Sequence, residues 1–566
     1  MTLIARRAAI LTTVLLVGCG AAKAADFTLE NVTIDSPGSV YHAPRIEFSG
    51  ASMTKGDAQK LMSAADPRSG AERIAAIDAA RISIPELTTE TKTGDYAQTF
   101  VYRDLVMQNV AHGVAATLDA SGASLESQRG DSHTSGRFGA MHAEGVDFPA
   151  AVRMTAETRK SADEPKRQTT ASFTMASMSF DMAQNGKVSA EHIVGRNFSG
   201  RPLAAPMSAL VELAPKTGAA PSETQQRAAG LMMTDLLGSV DVGALSMDNV
   251  LITRDAAASK TGDAVSMKVA HVAIDGMANG KMSNLSLEGI ENKAERGAFK
   301  LDRIALSGLD TLPMFEAAAK SLKATPRFDH MELSGLSAAP EEGPVKLGRV
   351  VIDAKNWQGG APTAVRADMQ NFDFSLAGEA AQRAPMLVAL GYDHIDLGAT
   401  IDASLDPDKK ELTVTEASLH EDQIGAARIG AFLTHVSPDL LSGEADAMKS
   451  ALAAIVFWKA DLHLQNGGVL DRYVAAQSKE TGKPTAAVRE NLAIGGRALV
   501  RSLFITGGKP NPQVDRVAEA VADFVKGAKN FDLSLFAPDG IGAIDLMMAG
   551  QLGSLAERLK IEAKVH

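Results

Sequence analysis

Apolar and polar residues alternate with a period of two over most of this chain, and no other feature of the sequence restricts the fold as strongly. In one example, Val456, Trp458 and Leu462 fall on one side of an extended segment, with Lys459 and Asp461 on the other. This alternation is typical of an antiparallel strand with one buried face. The sequence therefore predicts strands here and in the segments 27–50, 81–127, 135–200, 240–308, 327–376 and 391–436.

An internal repeat aligns without gaps at an offset of 46 residues, so that Leu285 corresponds to Met331. The repeat predicts a recurring unit of strand, turn and strand, and such units build elongated sheets. Within the first copy, Phe299, Leu301, Ile304 and Leu306 have a 2-3-2 spacing, which predicts a β-bulge. The matched positions are Leu285, Leu287, Gly289, Ile290, Gly297, Phe299, Leu301, Arg303, Ile304 and Leu306 with Met331, Leu333, Gly335, Leu336, Gly343, Val345, Leu347, Arg349, Val350 and Ile352.

Apolar stripes at helical spacing predict a smaller number of helices. One carries Ile74, Ile77 and Ala80, and the others cover 222–237, 312–322, 469–480, 484–504 and 512–525. A closing hairpin is expected from Phe531, Leu533 and Leu535 with Ile541 to Met548, turning at Pro538-Asp539-Gly540. Asp406-Pro407-Asp408 predicts another turn, and the polar stretch 159–171 an exposed hairpin loop.

The fold class predicted is mainly β with α: extended repetitive antiparallel sheets with short helices and a C-terminal helical segment. The chain is too long for one hydrophobic core to keep growing, so several domains or one long sheet are expected. The division that the sequence suggests is 1–24 as a signal peptide, 25–220 as an N-terminal β-rich domain, 221–440 as a repetitive β domain and 441–566 as a C-terminal α/β segment.

The N-terminus has the features of a bacterial export signal. Arg6 and Arg7 precede an uncharged, largely apolar stretch at 8–18 that is too short to span a bilayer. Two processing patterns overlap: Ala22-Lys23-Ala24 fits cleavage by signal peptidase, while Leu16-Val17-Gly18-Cys19 resembles the lipobox of bacterial lipoproteins. Cys19, the only cysteine, is thus a candidate lipidation site or is removed with the signal. Both predict an exported protein, in the periplasm or at the periplasmic face of a bacterial membrane.

Composition narrows the set of partners. With 45% hydrophobic and 22% charged residues the chain is an ordinary folded protein, and with one cysteine it cannot form an internal disulfide. The net charge of −11 disfavours nucleic acid as a partner. Aromatic residues make up only 5%, too few for extensive stacking platforms. Methionine is frequent, and we interpret most of it as core filling rather than as the lining of an apolar groove.

No sequence motif predicts catalytic, cofactor-binding or metal-binding residues. Gly482-Lys483-Pro484-Thr485 lacks the first glycine of a phosphate-binding loop and is interpreted as a helix start. His420-Glu421 lacks the second histidine of a zinc-protease motif, and Asp131-Ser132-His133 is too local to form a catalytic triad. The other histidines are scattered singly. We therefore expect no enzyme and no cofactor.

The export signal, the many alternating strands with recurring short units and the helical segment before a final hairpin together resemble AsmA-like bacterial envelope proteins. That resemblance spans residues 27–566 and implies long β-sheets forming grooves that carry or contact lipid. The leading hypothesis is a non-catalytic envelope protein that binds an apolar ligand, a lipid or an envelope protein on a concave sheet. A structural or assembly lipoprotein that docks protein partners by strand addition is the main alternative, and an uncharacterised hydrolase is a third.

Overall fold

The computed structural model describes residues 24–566 except for short internal segments. The predicted signal peptide and Cys19 therefore lie outside the described residues. Strands hold 57% of the structure and helices 25%, so the predicted class of a mainly β protein with helices is correct. The segments left out are 37–38, 64, 131, 183–185, 206–221, 255–263, 295–296, 321–324, 340–342, 359, 438–439, 441–444, 504–510 and 549–552.

The 23 strands among the described residues belong to one sheet, and every pair of neighbours within it is antiparallel. The strands are β1 (Ala25–Ser36), β2 (Ser39–Ala51), β3 (Ala79–Thr93), β4 (Tyr96–Ala111), β5 (Val114–Ala120), β6 (Gly122–Arg129), β7 (Ser132–Phe138), β8 (Met141–Asp147), β9 (Arg167–Asp181), β10 (Lys187–Gly200), β11 (Val240–Arg254), β12 (Val265–Ala278), β13 (Lys281–Ala294), β14 (Gly297–Asp310), β15 (His330–Ala338), β16 (Val345–Gln358), β17 (Ala361–Ser375), β18 (His394–Asp406), β19 (Glu411–Glu421), β20 (Gly425–Thr434), β21 (Val456–Asn466), β22 (Asn530–Gly542) and β23 (Lys560–Val565).

The sheet is a meander with one fork. Strands β1 to β4 pair in chain order, and β4 then pairs with β5 along one half of its length and with β6 along the other. The two branches continue through β8 and β7 and rejoin on β9. From β9 to β23 each strand pairs with the next along the chain. The predicted domain boundaries remain predictions, although sheet pairing continues across them.

The two copies of the sequence repeat form two hairpins, β13–β14 and β15–β16. Leu287 opposes Ile304 in the first and Leu333 opposes Val350 in the second, so the matched residues pair in the same register. The predicted β-bulge is wrong, because the register of β13–β14 is unbroken. The break in alternation instead coincides with Gly289, whose φ of 61° is left-handed, in the middle of β13.

Helices occupy the connections between strands. They are α1 (Lys55–Met62), α2 (Gly70–Ala75), α3 (Phe148–Ala156), α4 (Glu223–Ser239), α5 (Leu312–Ala319), α6 (Gly378–Arg383), α7 (Pro385–Ala389), α8 (Ala445–Ala454), α9 (Val469–Thr481), α10 (Thr485–Leu503), α11 (Pro512–Lys526), α12 (Ala543–Met548) and α13 (Gly553–Ala556). The predicted helices after residue 220 are found within a few residues of their expected bounds. The first one is shorter than predicted, because Ala79 already starts β3 and Ala80 is part of that strand.

The end of the chain differs from the predicted closing hairpin. Pro538-Asp539-Gly540 is no turn: it lies within β22, in a bulge where the register shifts opposite Phe457 and Lys459. Ile541 ends that strand, α12 follows, and the partner of β22 is β23. The stretch 159–171 links α3 to β9, so it is a helix-to-strand connection whose last residues begin the strand, and the Asp406 turn between β18 and β19 is found as predicted.

Two hydrophobic cores lie at opposite ends of the sheet. The N-terminal core joins β1–β5 to α1 and includes Leu29, Phe48 and Leu61. The C-terminal core joins α11 to β22 and β23 and includes Val517 and Ile541. None of the helices among the described residues is both long and apolar enough to cross a membrane.

Candidate functional site: an apolar track along the sheet

One row of directly opposed residues crosses the sheet from its first strand to its last and is apolar throughout. We call it the central row. It starts at Phe27 on β1, ends at Ala563 on β23 and includes every strand except β6 and β7. Its members are Phe27, Phe48, Ile82, Met107, Leu118, Ala143, Phe173, Gly195, Leu245, Ile274, Leu285, Leu306, Met331, Ile352, Ala367, Ile401, Ala417, Ile429, Leu462, Leu533 and Ala563.

The central row has no gap in its apolar surface. Gly195 is its one member without a side chain, and the rings of Phe173 and Phe198 fill the space where a Cβ would lie. At about 4.8 Å per strand, the row is roughly 95 Å long along the sheet.

A second row lies two residues away on the same face and is equally apolar. We call it the flanking row. It runs from β11 to β23 through Met247, Val272, Leu287, Ile304, Leu333, Val350, Met369, Ala399, Leu419, Ala427, Leu464, Phe531 and Val565. Together the two rows form the apolar track.

The opposite face carries a mostly polar row, because successive side chains of a strand point to opposite faces. Among its members Glu332 pairs with Arg349 at 2.9 Å, and the Nδ1 atom of His463 lies 2.5 Å from Asp532. The row reads Thr28, Glu47, Ser83, Val106, Asp119, His142, Thr174, Val194, Ser246, Ala273, Ser286, Ala305, Glu332, Val351, Asp368, Thr400, Ser418, Arg428, His463, Asp532 and Lys564.

Beyond the flanking row the sheet keeps an apolar lining. Val269, Ile290 and Leu301 are each at most 6% exposed, and the side chains packed around them, such as Leu287 and Phe299, all come from strands. Side chains on the same face of adjacent strands therefore bury these residues. Glu288 on β13 and Arg303 on β14 lie beside this cluster but point to the polar face, where their side chains are 3.8 Å apart.

A further row in this lining, which we call the outer row, runs from β1 to β18 by way of β6 and β7. It contains Ile34, Tyr41, Thr89, Phe100, Leu125, Gly136, Phe180, Val188, Ile252, Met267, Asn292, Phe299, Ala338, Val345, Phe374 and Ile395. Met267 and Phe299 pack in the same cluster as Leu287 of the flanking row, which places the two rows on one face.

At its N-terminal end the track is covered and contains a cavity of about 180 Å³. Phe48, Ile82 and Met107 of the central row line it from the sheet, while Met62 and Ile74 line it from the helical side. Arg73 ties the cover together by donating hydrogen bonds to the carbonyls of Leu61 and Ser63. Tyr102 packs against the same core, and its burial raises the pKa of the phenol.

At β18 to β20, before the part of the sheet that α11 covers, the track is open. Ile401 is 50% exposed, Leu419 49% and Ile429 45%, although all three project from the middle of strands. Next to them a pocket of about 360 Å³ lies between the flanking row and the helices α9 and α11. Leu419 and Leu464 line this pocket from the sheet, and Val469, Leu470 and Phe524 from the helices.

The motifs weighed in the sequence have structural roles. Glu421 is buried and accepts hydrogen bonds from the backbone N–H groups of Gln423 and Ile424 in the β19–β20 turn. The ring of His420 covers Gly398 on the neighbouring strand. Gly482 ends α9 in a left-handed conformation, and Thr485 starts α10 as predicted. Ser132 and His133 lie in β7, while Asp131 is outside the described residues.

Sequence reasoning missed a set of histidine–aspartate pairs on the polar face. In each, the histidine Nδ1 contacts a carboxylate on the directly opposed residue of the next strand, as in Asp119–His142 at 2.7 Å and Asp248–His271 at 2.6 Å. His330 and Asp353 repeat the arrangement at 2.8 Å. No group of three or more potential metal ligands occurs among the residues that the structure describes. These pairs link strands on the face away from the track.

Sequence reasoning also missed the rows themselves, since they depend on how strands pair. Methionine was one available signal. Met107 and Met331 belong to the central row, Met247 and Met369 to the flanking row and Met267 to the outer row. A flexible thioether adapts to ligands of different shape, so these positions suit an apolar binding surface.

Comparison with known proteins gives no function. A family model described only as an uncharacterized protein matches residues 418–566, which include β20 to β23 and the helices α8 to α13. No curated protein and no solved structure matches the chain.

Proposed function

We propose that this chain is a non-catalytic envelope protein that binds lipid, or another elongated apolar ligand, along the apolar track of its sheet. The observation that carries the proposal is the central row, to which every strand except β6 and β7 contributes an apolar residue directly opposite those of its neighbours. One charged side chain would interrupt such a surface, and none occurs. This agrees with what the resemblance to AsmA-like envelope proteins implies.

The exposure of the track at β18–β20 supports a ligand over simple core packing. Ile401, Leu419 and Ile429 present apolar surface to water in the middle of strands, and a contiguous apolar patch of this kind marks a binding surface. Covering it stabilises a complex by about 25 cal/mol for each Å² removed from water. The adjoining pocket under α9 and α11 offers the concave end that a ligand chain needs.

We further propose that repeated hairpin units build the extended sheet. The equivalent registers of β13–β14 and β15–β16 support this, because the same apolar residues then reach the same rows in each unit. In that account the repeat lengthens the track by adding pairs of strands.

The proposed location is the periplasm or the periplasmic face of a membrane. It rests on the N-terminal signal in the sequence, with Cys19 as the candidate for acylation and Ala24 as the alternative cleavage point. Mass measurement of the mature N-terminus distinguishes them: an acylated Cys19 indicates a lipoprotein, and an unmodified start at Ala25 a soluble periplasmic protein. An intact Met1 in envelope-purified protein contradicts both.

Native mass spectrometry of protein purified from the envelope tests the ligand. We expect lipid to co-purify with the wild type and to be reduced in Leu419→Asn, which places an amide on the track. Ser418→Asn introduces the same side chain one residue earlier on the polar face and should leave the bound lipid unchanged.

Two results would overturn the proposal. One is a lipid-free wild type with a stable protein partner, which favours the structural or assembly lipoprotein. The other is equal lipid retention in Leu419→Asn and in the wild type, because then the lipid binds elsewhere. Turnover of a substrate with convergent titratable residues at its site would instead support an enzyme.

A further inference from the structure

The outer row contains one amide in an otherwise apolar neighbourhood. Asn292 on β13 directly opposes Met267 on β12 and Phe299 on β14, and Ile290, two residues earlier, is 6% exposed in the apolar cluster it forms with Val269 and Leu301. The nearest charged groups face the other way: Glu291 pairs with Lys300 at 2.9 Å on the polar side. Asn292 is therefore the polar exception on this part of the apolar lining.

The side-chain oxygen of Asn292 is buried and accepts no hydrogen bond from any group that the structure describes. A buried acceptor without a donor costs stability, so such groups are rare in folded proteins. Two buried threonines of the sheet do have partners. Thr169 donates to the carbonyl of Phe198 at 3.3 Å and Thr363 to that of Asn356 at 2.8 Å. The oxygen of Asn292 is thus free to accept a hydrogen bond from a donor outside the chain.

We propose that Asn292 accepts a hydrogen bond from a neutral donor, such as a hydroxyl group, on an amphiphile whose apolar chain lies against the outer and flanking rows. A charged donor fits poorly, because the apolar surroundings would leave its charge unsolvated. The inference rests on the proposed function and narrows its ligand class: neutral hydroxyl-bearing amphiphiles bind better than equally apolar molecules without a donor.

A pair of matched probes tests this donor requirement. Dodecanol carries a hydroxyl donor, whereas dodecyl methyl ether has the same chain with an oxygen that can only accept. Each is titrated against the full-length protein by displacement of the uncharged dye N-phenylnaphthylamine. We expect the wild type to prefer the alcohol by about three- to tenfold, the size of one hydrogen bond.

Two variants locate the preference. Asn292→Leu keeps the branching of the side chain at Cγ and removes the acceptor, although leucine is the larger residue. The ratio of alcohol to ether affinity should then fall to about the ratio with which the two probes partition into liposomes. Asn284→Leu, the same change on the polar face of β13 where Asn284 opposes Asp275 and Ser307, should retain the wild-type ratio. Asn292→Leu should also melt at a higher temperature in the absence of ligand, because it no longer buries an unpaired oxygen. That rise also shows that the variant is folded.

The outcomes separate this inference from the proposed function. Binding of both probes with the same ratio in the wild type and in Asn292→Leu overturns the role of Asn292 and leaves the track intact as a binding surface. Failure of both probes to displace the dye from the wild type overturns both proposals. A lower melting temperature of both Asn292→Leu and the smaller variant Asn292→Val shows that the amide has a partner within the protein, which also refutes the inference.

Discussion

Leu287 and Ile290 lie three residues apart on β13 and yet pack in the same apolar cluster, on one face of the sheet. In a regular strand this spacing would place them on opposite faces. Gly289, between them, has a φ of 61° and resets the alternation without shifting the register against β12 or β14. Gly335, with a φ of 70°, holds the equivalent position between Leu333 and Leu336 on β15. This reset keeps the lining apolar on both sides of the break.

Replacing Gly289 by alanine should destabilise the protein for two reasons. An L-residue pays roughly 1–2 kcal/mol in the left-handed region. A Cβ at this position would also lie 2.7 Å from the Cβ of Ala270. Gly94, with a φ of 58° in the β3–β4 turn and open space around it, is the control for the conformational cost alone. Chemical denaturation should show a larger loss for Gly289→Ala, and equal losses would contradict the close packing at the reset.

Shortening a side chain in the cluster of Val269, Ile290 and Leu301 should destabilise the protein as strongly as in any buried core. Leu301 is 6% exposed, so Leu301→Ala should lower the free energy of unfolding by about 2–5 kcal/mol. Leu306, in the same strand and in the more open central row, should lose less on the same change. Denaturant titrations of both variants measure the difference. A smaller loss at Leu301 than at Leu306 would show that this cluster is not a packed core.

Filling the N-terminal cavity should weaken the binding of a small apolar ligand there without destabilising the protein. Ala43 lines the cavity, so Ala43→Leu should reduce the stabilisation of the protein by benzene, which binds dry apolar cavities of comparable size, without lowering its melting temperature. Ala51 is fully buried and does not line the cavity, so Ala51→Leu should cost about 1–3 kcal/mol through overpacking. Thermal unfolding with and without benzene tests both. Undiminished stabilisation of Ala43→Leu by benzene would mean that the cavity is not where benzene binds.

The link between α1 and α2 should contribute to stability in a pH-dependent way. Arg68 donates side-chain and backbone hydrogen bonds to Asp66 and lowers the pKa of that carboxyl to about 2. Because the folded pKa lies below the ordinary value of about 3.9, the contribution is complete above that value and is lost as the pH falls toward 2. The melting temperatures of the wild type and Asp66→Asn should therefore converge in that range. A difference that does not change with pH would contradict this assignment.

Much of the secondary structure could be predicted from the sequence because apolar residues recur at different spacings in strands and in helices. The alternation around Trp458 predicts β21, and the stripe of Val514, Val517 and Val521 predicts α11. The helices α1, α3, α6, α7, α8, α12 and α13 were missed. They are short, and α3 is fixed by a cap in which Asp147 accepts a hydrogen bond from the backbone N–H of Ala150.

The candidate site was much harder to predict because it depends on pairing between strands. The local pattern shows that Ile401 and Ile429 each lie on an apolar face, but only the register of β18, β19 and β20 places them in one row through Ala417. The 2-3-2 spacing at Leu301 was visible, yet its cause lies on the neighbouring strand at Gly289. Asn292 gave no signal, since an asparagine is unremarkable until both of its strand neighbours are known to be apolar.

Site-specific photocrosslinking in the cell envelope tests the central claim most directly. A photoreactive residue is placed in turn at Ile401 and Ile429 on the central row, and at Thr400 and Arg428 on the opposite face. After irradiation, the purified protein is analysed for covalent lipid by mass spectrometry. A track that binds lipid gives lipid adducts at Ile401 and Ile429 and few at the two control positions. Equal adducts on both faces, or protein adducts alone at Ile401 and Ile429, would contradict it.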